Sequence, residues 1–430
     1  MKKVIALFTF LLLSTSLSAQ ISDIEQRMAD HIDSINEDGM ELLIESVNIN
    51  SGTMNFEGVR EVAEHMIPHF KAIGFDAWFE DGAAWNRAGH LIAEHLGSDD
   101  APKILLIGHL DTVFEPDSPF QTYEMINDTT AKGPGIADMK GGNIIMLQAL
   151  RALNEVGALS DMNIKIVITG DEELSGRPLD LSKKALIDAA KWADISIGFE
   201  NGDGNPKTAN VSRRGAMGWS LIVTGTPAHS SQVFREDIGA GAIYEASRIL
   251  NSFYEELRSE EFLTFNPGRI MGGTTVSHDE GSSSGEVFGK TNVVAETAIV
   301  AGDLRALSPE QEERVKEKMR EIVSRNLPQT SATIEFDEGY PPMAPTDGNR
   351  ELLSIYSQAS QDLGFGEVVA VNPLRAGAAD VSFTANHVEM AIDALGMSGT
   401  DGHTVNELGY INQFPRQSKR AAILLYRLNQ

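Results

Sequence analysis

Cysteine is absent from all 430 residues of this chain. Its absence excludes disulfide bonds and also an N-terminus anchored through a lipid-modified cysteine. Long hydrophobic runs are scarce as well. The apolar run at residues 4–13 is shorter than the roughly 20 apolar residues that a membrane-spanning helix requires. The sequence therefore predicts no membrane-spanning segment.

Residues 1–19 have the pattern of a secretory signal peptide. Two lysines follow the first methionine, residues 4–13 are apolar, and small residues lead up to Ala19. These features predict cleavage after Ala19 and export to the periplasm or the medium. The alternative is a retained membrane anchor, but the apolar run is too short for one and is followed by serines.

Basic residues are few, since 35 Lys and Arg stand against 62 Asp and Glu, for a formal net charge of −27. A strongly acidic surface argues against nucleic acid and anionic membranes as partners. Solubility is the main explanation for the excess of acids. Carboxylates gathered around metal ions would contribute a smaller part.

The length exceeds what one ordinary core supports, so two domains are predicted. Apolar runs alternate with helical patterns early in the chain, which predicts an α/β domain with a largely parallel sheet flanked by helices. Strand-like alternation, two amphipathic helices and a Gly- and Ser-rich loop or hairpin then predict an α+β domain inserted at 208–339. Residues 20–207 and 340–430 form the two parts of the α/β domain. The runs that predict its first strands are 90–94, 104–107, 164–169 and 195–199.

Polar residues follow several of these predicted strands. Ligands of such sheets bind at the carboxyl ends of the strands, so the side chains found there are expected to meet at one edge. In chain order they are His109 and Asp111, Asp138 in a glycine-rich turn, Glu172 and Glu173, Glu200, and His403 in a glycine-rich loop.

Each of these residues has an ordinary structural explanation when it is taken alone. His109 would be satisfied by a nearby acid, Asp138 would cap a turn or helix, and His403 would be a loop histidine in solvent. The acids of 171–173 would form a solvated loop. Taken together, imidazoles and carboxylates at a single edge are ligands that suit zinc.

Charge counting predicts two metal ions per chain. Asp138, Glu173 and Glu200 bring three negative charges and a bridging hydroxide brings a fourth, which two Zn²⁺ ions offset. Without metal, three carboxylates in one cleft would have to take up protons. The predicted cofactor is therefore two Zn²⁺ per chain, with another divalent metal as the alternative.

The motifs GHLDTV, GPGIADMKGG, TGDEE, GFE and GHTVNE occur in this order. Together they resemble the zinc-dependent exopeptidases and deacylases that include bacterial glutamate carboxypeptidase, acetylornithine deacetylase and succinyl-diaminopimelate desuccinylase. The resemblance runs from about residue 40 to the C-terminus. It implies a zinc-exopeptidase fold whose inserted domain is a lid that often dimerises.

The resemblance also implies a role for each residue at the sheet edge. The implied roles are a first zinc held by His109 and Glu200, a second zinc held by Glu173 and His403, Asp138 as the bridge between them, Glu172 as the general base, and Asp111 as the residue that orients His109.

Three residues of the inserted domain fall where the family contacts substrate. They are His229 in a G-x-x-x-H-S segment, Asn292 and Arg305. In dimeric members of the family, the histidine reaches the active site of the partner subunit. The alternatives are a surface-loop histidine for His229, and loop capping or a salt bridge with an acid such as Asp303 for the other two.

The sequence departs from the glutamate-specific members at two places. Their late arginine before a proline corresponds to Tyr340, and their Gly-Gly-Thr-Asp segment appears as residues 377–380. Both changes argue against a glutamate-specific pocket. Arg213, Arg214 and Arg375 are the residues that could bind the substrate carboxylate instead.

These observations predict an exported zinc metallohydrolase that cleaves an amide or peptide bond near a free carboxylate, as a carboxypeptidase or dipeptidase does. Glu172 would act as general base toward a metal-activated water. The substrate would be a small peptide or an N-acyl amino acid, and a homodimer would form through the inserted domain. One alternative is an N-acyl-amino-acid deacylase that uses the same site. Another is a non-catalytic binding protein on a hydrolase scaffold, which fits less well because every ligand position is filled.

Overall fold

The computed structural model describes residues 21–279 and 283–430. The predicted signal peptide, residues 1–19, lies outside the described residues. Among the helices of the described part, none combines the length and hydropathy that a membrane crossing needs.

Helices and strands are numbered in chain order. The α-helices are α1 (Asp23–Ser34), α2 (Asn36–Asn48), α3 (Phe56–Ala72), α4 (Gly141–Glu155), α5 (Leu179–Ser182), α6 (Lys184–Trp192), α7 (Ala242–Leu257), α8 (Pro309–Ser324), α9 (Asp347–Asp362) and α10 (Phe414–Leu428). The strands are β1 (Asp76–Asp81), β2 (Gly89–His95), β3 (Lys103–His109), β4 (Glu124–Asn127), β5 (Thr130–Lys132), β6 (Asn163–Thr169), β7 (Ile195–Gly198), β8 (Thr208–Ala209), β9 (Met217–Gly225), β10 (Thr264–Gly273), β11 (Thr275–Asp279), β12 (Ser284–Phe288), β13 (Thr297–Arg305), β14 (Thr330–Phe336), β15 (Val369–Ala370), β16 (Met390–Ile392), β17 (Gly399–Thr400) and β18 (Leu408–Gly409).

The largest sheet has the strand order β1-β2-β6-β3-β7-β16. Strands β6, β3, β7 and β16 run parallel, whereas β2 pairs antiparallel with β6 and β1 pairs antiparallel with β2. Alternate residues of β3 enter different cores: Ile104 and Leu106 pack with helices on one face, and Leu105 and Ile107 pack with residues of α6 on the other. A sheet buried on both faces explains the continuous apolar runs. The predicted α/β class with a largely parallel sheet is confirmed.

A second, antiparallel sheet has the order β10-β13-β9-β14 and carries α7 and α8 on one face. Its own apolar core centres on residues such as Trp219 and Phe253. We refer to residues 217–336 as the lid unit. The predicted domain boundaries at 208 and 339 stay a prediction, and the pairing of β8 with β15 links residues 208–209 to the later part of the chain.

At two places the structure shows local detail that the sequence pattern does not predict. The helical region at the start of the described chain divides at Ile35, where α1 ends and α2 begins. In the Gly- and Ser-rich segment, residues 268–279 and 284–288 are mostly extended, because they contain the end of β10 and the antiparallel pair β11 and β12.

Candidate active site

The ends of three neighbouring parallel strands carry most of the predicted site. His109 closes β3 opposite Thr169 of β6, so the loop that follows β6 begins beside it. On the other side of β3, Ile107 pairs with Gly198 of β7, and Glu200 follows two residues later. Strand register therefore places the segments that carry Glu173 and Glu200 on the two sides of β3.

Asp138 lies at the centre of this edge, in the turn Ile136–Lys140 that precedes α4. Its Oδ1 is 3.2 Å from Nε2 of His109, and its Oδ2 is 3.1 Å from Nε2 of His403. The same nitrogen of His109 lies 3.2 Å from Oε1 of Glu200, and that of His403 lies 3.1 Å from Oε2 of Glu173. The five predicted ligands thus form two triads that share one carboxylate.

The donor atoms of both triads fit metal binding. Zinc ligands about 2.0–2.1 Å from a tetrahedral ion are about 3.3 Å from one another, close to the separations found here. Oε1 of Glu173 is buried without a hydrogen-bond partner among the described residues. Burial raises the pKa of Glu200 to about 7, and the charge of Asp138 acts in the same direction. A cation at this position would stabilise the ionised carboxylates.

The orientation of His109 is set by its backbone surroundings. Nδ1 of the ring lies 2.9 Å from the carbonyl oxygen of Asp111, and the Asp111 carboxylate is farther, at 3.5 Å. Donation from Nδ1–H to the carbonyl leaves the Nε2 lone pair facing the acids. The orienting contact expected from the Asp111 carboxylate therefore falls mainly to the carbonyl of the same residue.

The Asp111 carboxylate instead anchors the loop that follows β6. It accepts hydrogen bonds from the backbone N–H groups of Glu172 and Glu173, both at 3.1 Å. Its Oδ2 also accepts from the hydroxyl of Thr53 at 2.7 Å. One buried carboxylate thus fixes the backbone of both the predicted base and a predicted ligand.

Two further acids accept hydrogen bonds from the backbone of the predicted ligands or of residues next to them. Glu407 accepts hydrogen bonds from the N–H groups of Gly135, Ala137 and Asp138 at 2.9–3.1 Å. In the sequence it is the last residue of the GHTVNE motif, and its three contacts form only because the turn at 135–138 is folded around its carboxylate.

Asp393 is the second supporting acid. Its Oδ1 accepts from the N–H of Glu200 at 3.3 Å, and its Oδ2 is 2.7 Å from Nε of buried Arg213. Sequence reasoning missed Asp393, although it directly follows β16, and the rule about polar residues at strand ends would have found it.

Glu172 is partly buried beside the two triads. Burial raises its pKa well above the usual range; the positive charge of His109 opposes this, and the negative charge of Glu200 reinforces it. In the part of the chain that the structure describes, no side chain forms a hydrogen bond with the Glu172 carboxylate. Such a carboxylate is free to exchange a proton with a substrate or a water molecule.

The three predicted substrate-binding residues belong to the lid unit and not to the sheet edge that carries the triads. His229 and Asn292 are exposed and adjacent, because the N–H of Ser230 donates to the Asn292 carbonyl at 2.9 Å. Arg305 forms an ion pair with Asp303 at 3.0 Å, which is the structural alternative considered from the sequence. Within residues 21–279 and 283–430, no hydrogen bond or ion pair joins these three side chains to the five ligands. Their substrate role stays a prediction.

Comparison with known proteins places the chain in a family. Residues 105–426 match Peptidase family M20/M25/M40. This chain belongs to that family. Over 385 residues it is 24% identical to carboxypeptidase G2 of Pseudomonas sp. (strain RS-16), which covers 88% of this chain and 86% of that protein. It is also 26% identical to succinyl-diaminopimelate desuccinylase of Psychrobacter sp. (strain PRwf-1), over 69% of this chain and 73% of the relative.

The fold of this M20-family chain also matches solved structures. A dinuclear metal-binding peptidase of the M20 family from Bacillus subtilis superposes with a TM-score of 0.65 at 14% identity, covering 92% of this chain and 99% of that one. Membership of the family makes the chain a metallopeptidase, a metal-dependent hydrolase. Both the predicted enzyme class and the predicted relationship to glutamate carboxypeptidase and the desuccinylases are thereby confirmed.

Proposed function

We propose that this metallopeptidase is exported and cleaves an amide or peptide bond next to a free carboxylate, with two Zn²⁺ or similar divalent ions per chain. The observation that carries the proposal is the Asp138 carboxylate, whose two oxygens face two different histidines at 3.1–3.2 Å. The dinuclear Bacillus subtilis structure, which shares the fold, supports a pair of ions.

The side chains of the site have separate tasks in the proposed reaction. When bound, the ions would supply an activated water and a Lewis acid for the scissile carbonyl. Glu172 would accept a proton from the attacking water and return it to the leaving amine. Asp111, which holds the N–H of Glu172, would keep that carboxylate in reach of both.

Carboxypeptidase or dipeptidase activity is favoured for the substrate class. The similarity to carboxypeptidase G2 spans most of both chains, which supports recognition of a free carboxylate. Of the arginines considered for that task, Arg213 is engaged by Asp393. Arg375 is two-thirds exposed, with its ion pair to Asp203 at 3.2 Å, and is the more accessible candidate. The similarity to a desuccinylase keeps N-acyl-amino-acid deacylation as the second candidate on the same site.

A homodimer through the lid unit is part of the proposal. Strand β10 is at the edge of its sheet, and Ile270 on it is 56% exposed. Phe234, Tyr244 and Phe288 of the same unit are also more than half exposed. An unpaired edge beside apolar side chains supports pairing with a second copy. Such a dimer would bring the partner's lid residues, with His229 and Asn292, toward the site.

The test is a panel of dipeptides, C-terminally blocked peptides and N-acyl amino acids, assayed with the purified enzyme before and after chelation. We expect turnover only of substrates with a free carboxylate, loss of activity on chelation, and recovery when Zn²⁺ is returned. Full activity without metal, or equal turnover of blocked peptides, would contradict the proposal.

One substitution tests whether Glu172 is the general base. Glu172→Gln should bind metal like the wild type and lose about 10²- to 10⁴-fold in kcat, because it cannot accept the proton. Wild-type turnover in this variant would remove the role assigned to Glu172.

A further inference from the structure

Tyr340 lies where the chain returns from the lid unit to the α/β part. Its backbone pairs with Ala216, which lies on the outgoing crossing: Ala216 N donates to Tyr340 O at 3.0 Å, and Tyr340 N donates to Ala216 O at 2.9 Å. A second bridge joins Arg213 and Met343. The two crossings therefore form a short antiparallel ladder, and Tyr340 is part of it.

The side chain of Tyr340 leaves this ladder and reaches the loop that carries the predicted base. Its hydroxyl donates a hydrogen bond to the carbonyl oxygen of Glu172 at 2.8 Å. The Tyr340 hydroxyl has only one proton, and it is donated to that carbonyl. The hydroxyl of Ser175, whose Oγ is 3.0 Å away, therefore donates to the Tyr340 oxygen. The ring is held by Phe383, with centroids 4.8 Å apart, and by Lys183, whose Nζ is 5.6 Å from the ring.

Glu172 is consequently held through its backbone on both sides. Asp111 accepts its N–H, and Tyr340 binds its carbonyl. Among the described residues no side chain binds the Glu172 carboxylate, so its location follows from these two backbone anchors and from its rotamer. A change in either anchor would therefore move the carboxylate itself.

We propose that Tyr340 is a positioning residue for Glu172 and that it ties the placement of the base to the crossing from the lid unit. This inference rests on the proposed function. It also gives a structural reason for the departure from the glutamate-specific relatives. The Tyr340 hydroxyl is committed to the backbone of the base, so the substrate carboxylate must be bound elsewhere.

The test compares Tyr340→Phe with Ser175→Ala. Both substitutions delete a hydroxyl from the same hydrogen-bonded chain, but only the first removes the bond to the Glu172 carbonyl. For Tyr340→Phe we expect kcat to fall by about 10- to 100-fold, the size expected for slight misplacement of a catalytic group. KM and bound metal should stay at wild-type values, and amide hydrogen exchange in 170–176 should become faster. Ser175→Ala should keep kcat close to that of the wild type.

The outcomes separate this inference from the proposed function. If the wild type hydrolyses the panel and Tyr340→Phe matches it in kcat, the positioning role is wrong while the function stands. A parallel loss of metal, raised KM and lowered melting temperature in Tyr340→Phe would show a general structural role instead, and would also overturn the inference. If the wild type hydrolyses nothing in the panel, both proposals fail together.

Discussion

Two lysines, one in each part of the molecule, contact two carboxylates in nearly the same geometry. Lys183 lies 3.1 Å from Asp171 and 2.9 Å from Asp380 behind the active-site loop, and its side chain is fully buried. On the lid unit, Lys318 lies 2.9 Å from Glu256 and 3.0 Å from Glu321 at the surface. The distances in the two clusters are nearly the same, but one cluster is buried and the other is exposed to water.

This difference in exposure distinguishes the buried ion pairs beside the active-site loop from the exposed ion pairs of the lid unit. A surface pair is screened by water and contributes little to stability. A buried cluster has lost its hydration, so removing one partner leaves an uncompensated charge in the interior. Lys183 also lies 3.3 Å from the carbonyl of Asp171, directly before Glu172. The buried ion pairs of Lys183 are thus found next to the active-site loop, which they hold in place.

The largest expected effect in this comparison comes from Lys183→Met. The substitution strands two buried carboxylates, so the free energy of unfolding should fall by about 3–5 kcal/mol. The matched control, Lys318→Met, should leave it essentially unchanged. Urea denaturation of both variants, with wild type alongside, measures the contrast. Equal losses in the two variants would show that the solvent around the clusters does not decide their energies.

Metal addition is expected to stabilise the two parts of the molecule unequally. Zn²⁺ at about 100 times its dissociation constant should stabilise the metal-stripped protein by about 2.7 kcal/mol. Hydrogen exchange should slow around β3, β6 and β7, where the ligands lie, and stay unchanged in α7 and α8. Asp138→Ala is the control, since it removes the shared ligand and should abolish the response. Equal protection of the lid unit would contradict a site confined to the sheet edge.

The smallest effect is a pH dependence at Glu25, a buried acid in the first turn of α1. Burial would raise its pKa, but the hydrogen bonds from Arg427 and Ser22 outweigh it, so the pKa lies below the usual 4.5. Because the folded pKa is the lower one, this ion pair stabilises the protein above pH 4.5, and the contribution is lost as the pH falls.

Glu25→Gln should therefore be less stable than the wild type at neutral pH, with a difference that shrinks in acid. Lys318 and Arg325 lower the pKa of exposed Glu256 in the lid unit. Glu256→Gln should show the same trend with a smaller amplitude, because solvent screens its partners. Melting temperatures measured across the acid range test the pair. A constant offset for Glu25→Gln at every pH would rule out the linkage.

The positions of the sheet and of three candidate ligands, His109, Glu173 and Glu200, could be predicted for a shared physical reason, whereas Asp138 and His403 lie in turns outside the six-stranded sheet. Parallel strands place their carboxyl ends at one edge, so polar residues just after apolar runs, such as His109 and Glu200, had to meet there. The contacts that support them were harder to foresee. The pairing of Asp393 with Arg213, and of Tyr340 with the Glu172 carbonyl, joins residues more than 160 positions apart. No periodicity or local motif carries that information.

Positions on the lid unit were less predictable for a different reason. Exposed side chains such as His229 and Asn292 are fixed by few contacts, so sequence position says little about what they face. The pairing of Arg305 with Asp303 shows that a residue in a family motif can be satisfied locally within a single chain.

The central claim is that Asp138 bridges two metal ions. Anomalous diffraction at the zinc edge, from crystals grown with Zn²⁺, tests it most directly. We predict two peaks, one contacted by His109 and Glu200 and the other by Glu173 and His403, with one oxygen of Asp138 on each. A single peak, or two peaks without a shared Asp138 carboxylate, would contradict the account.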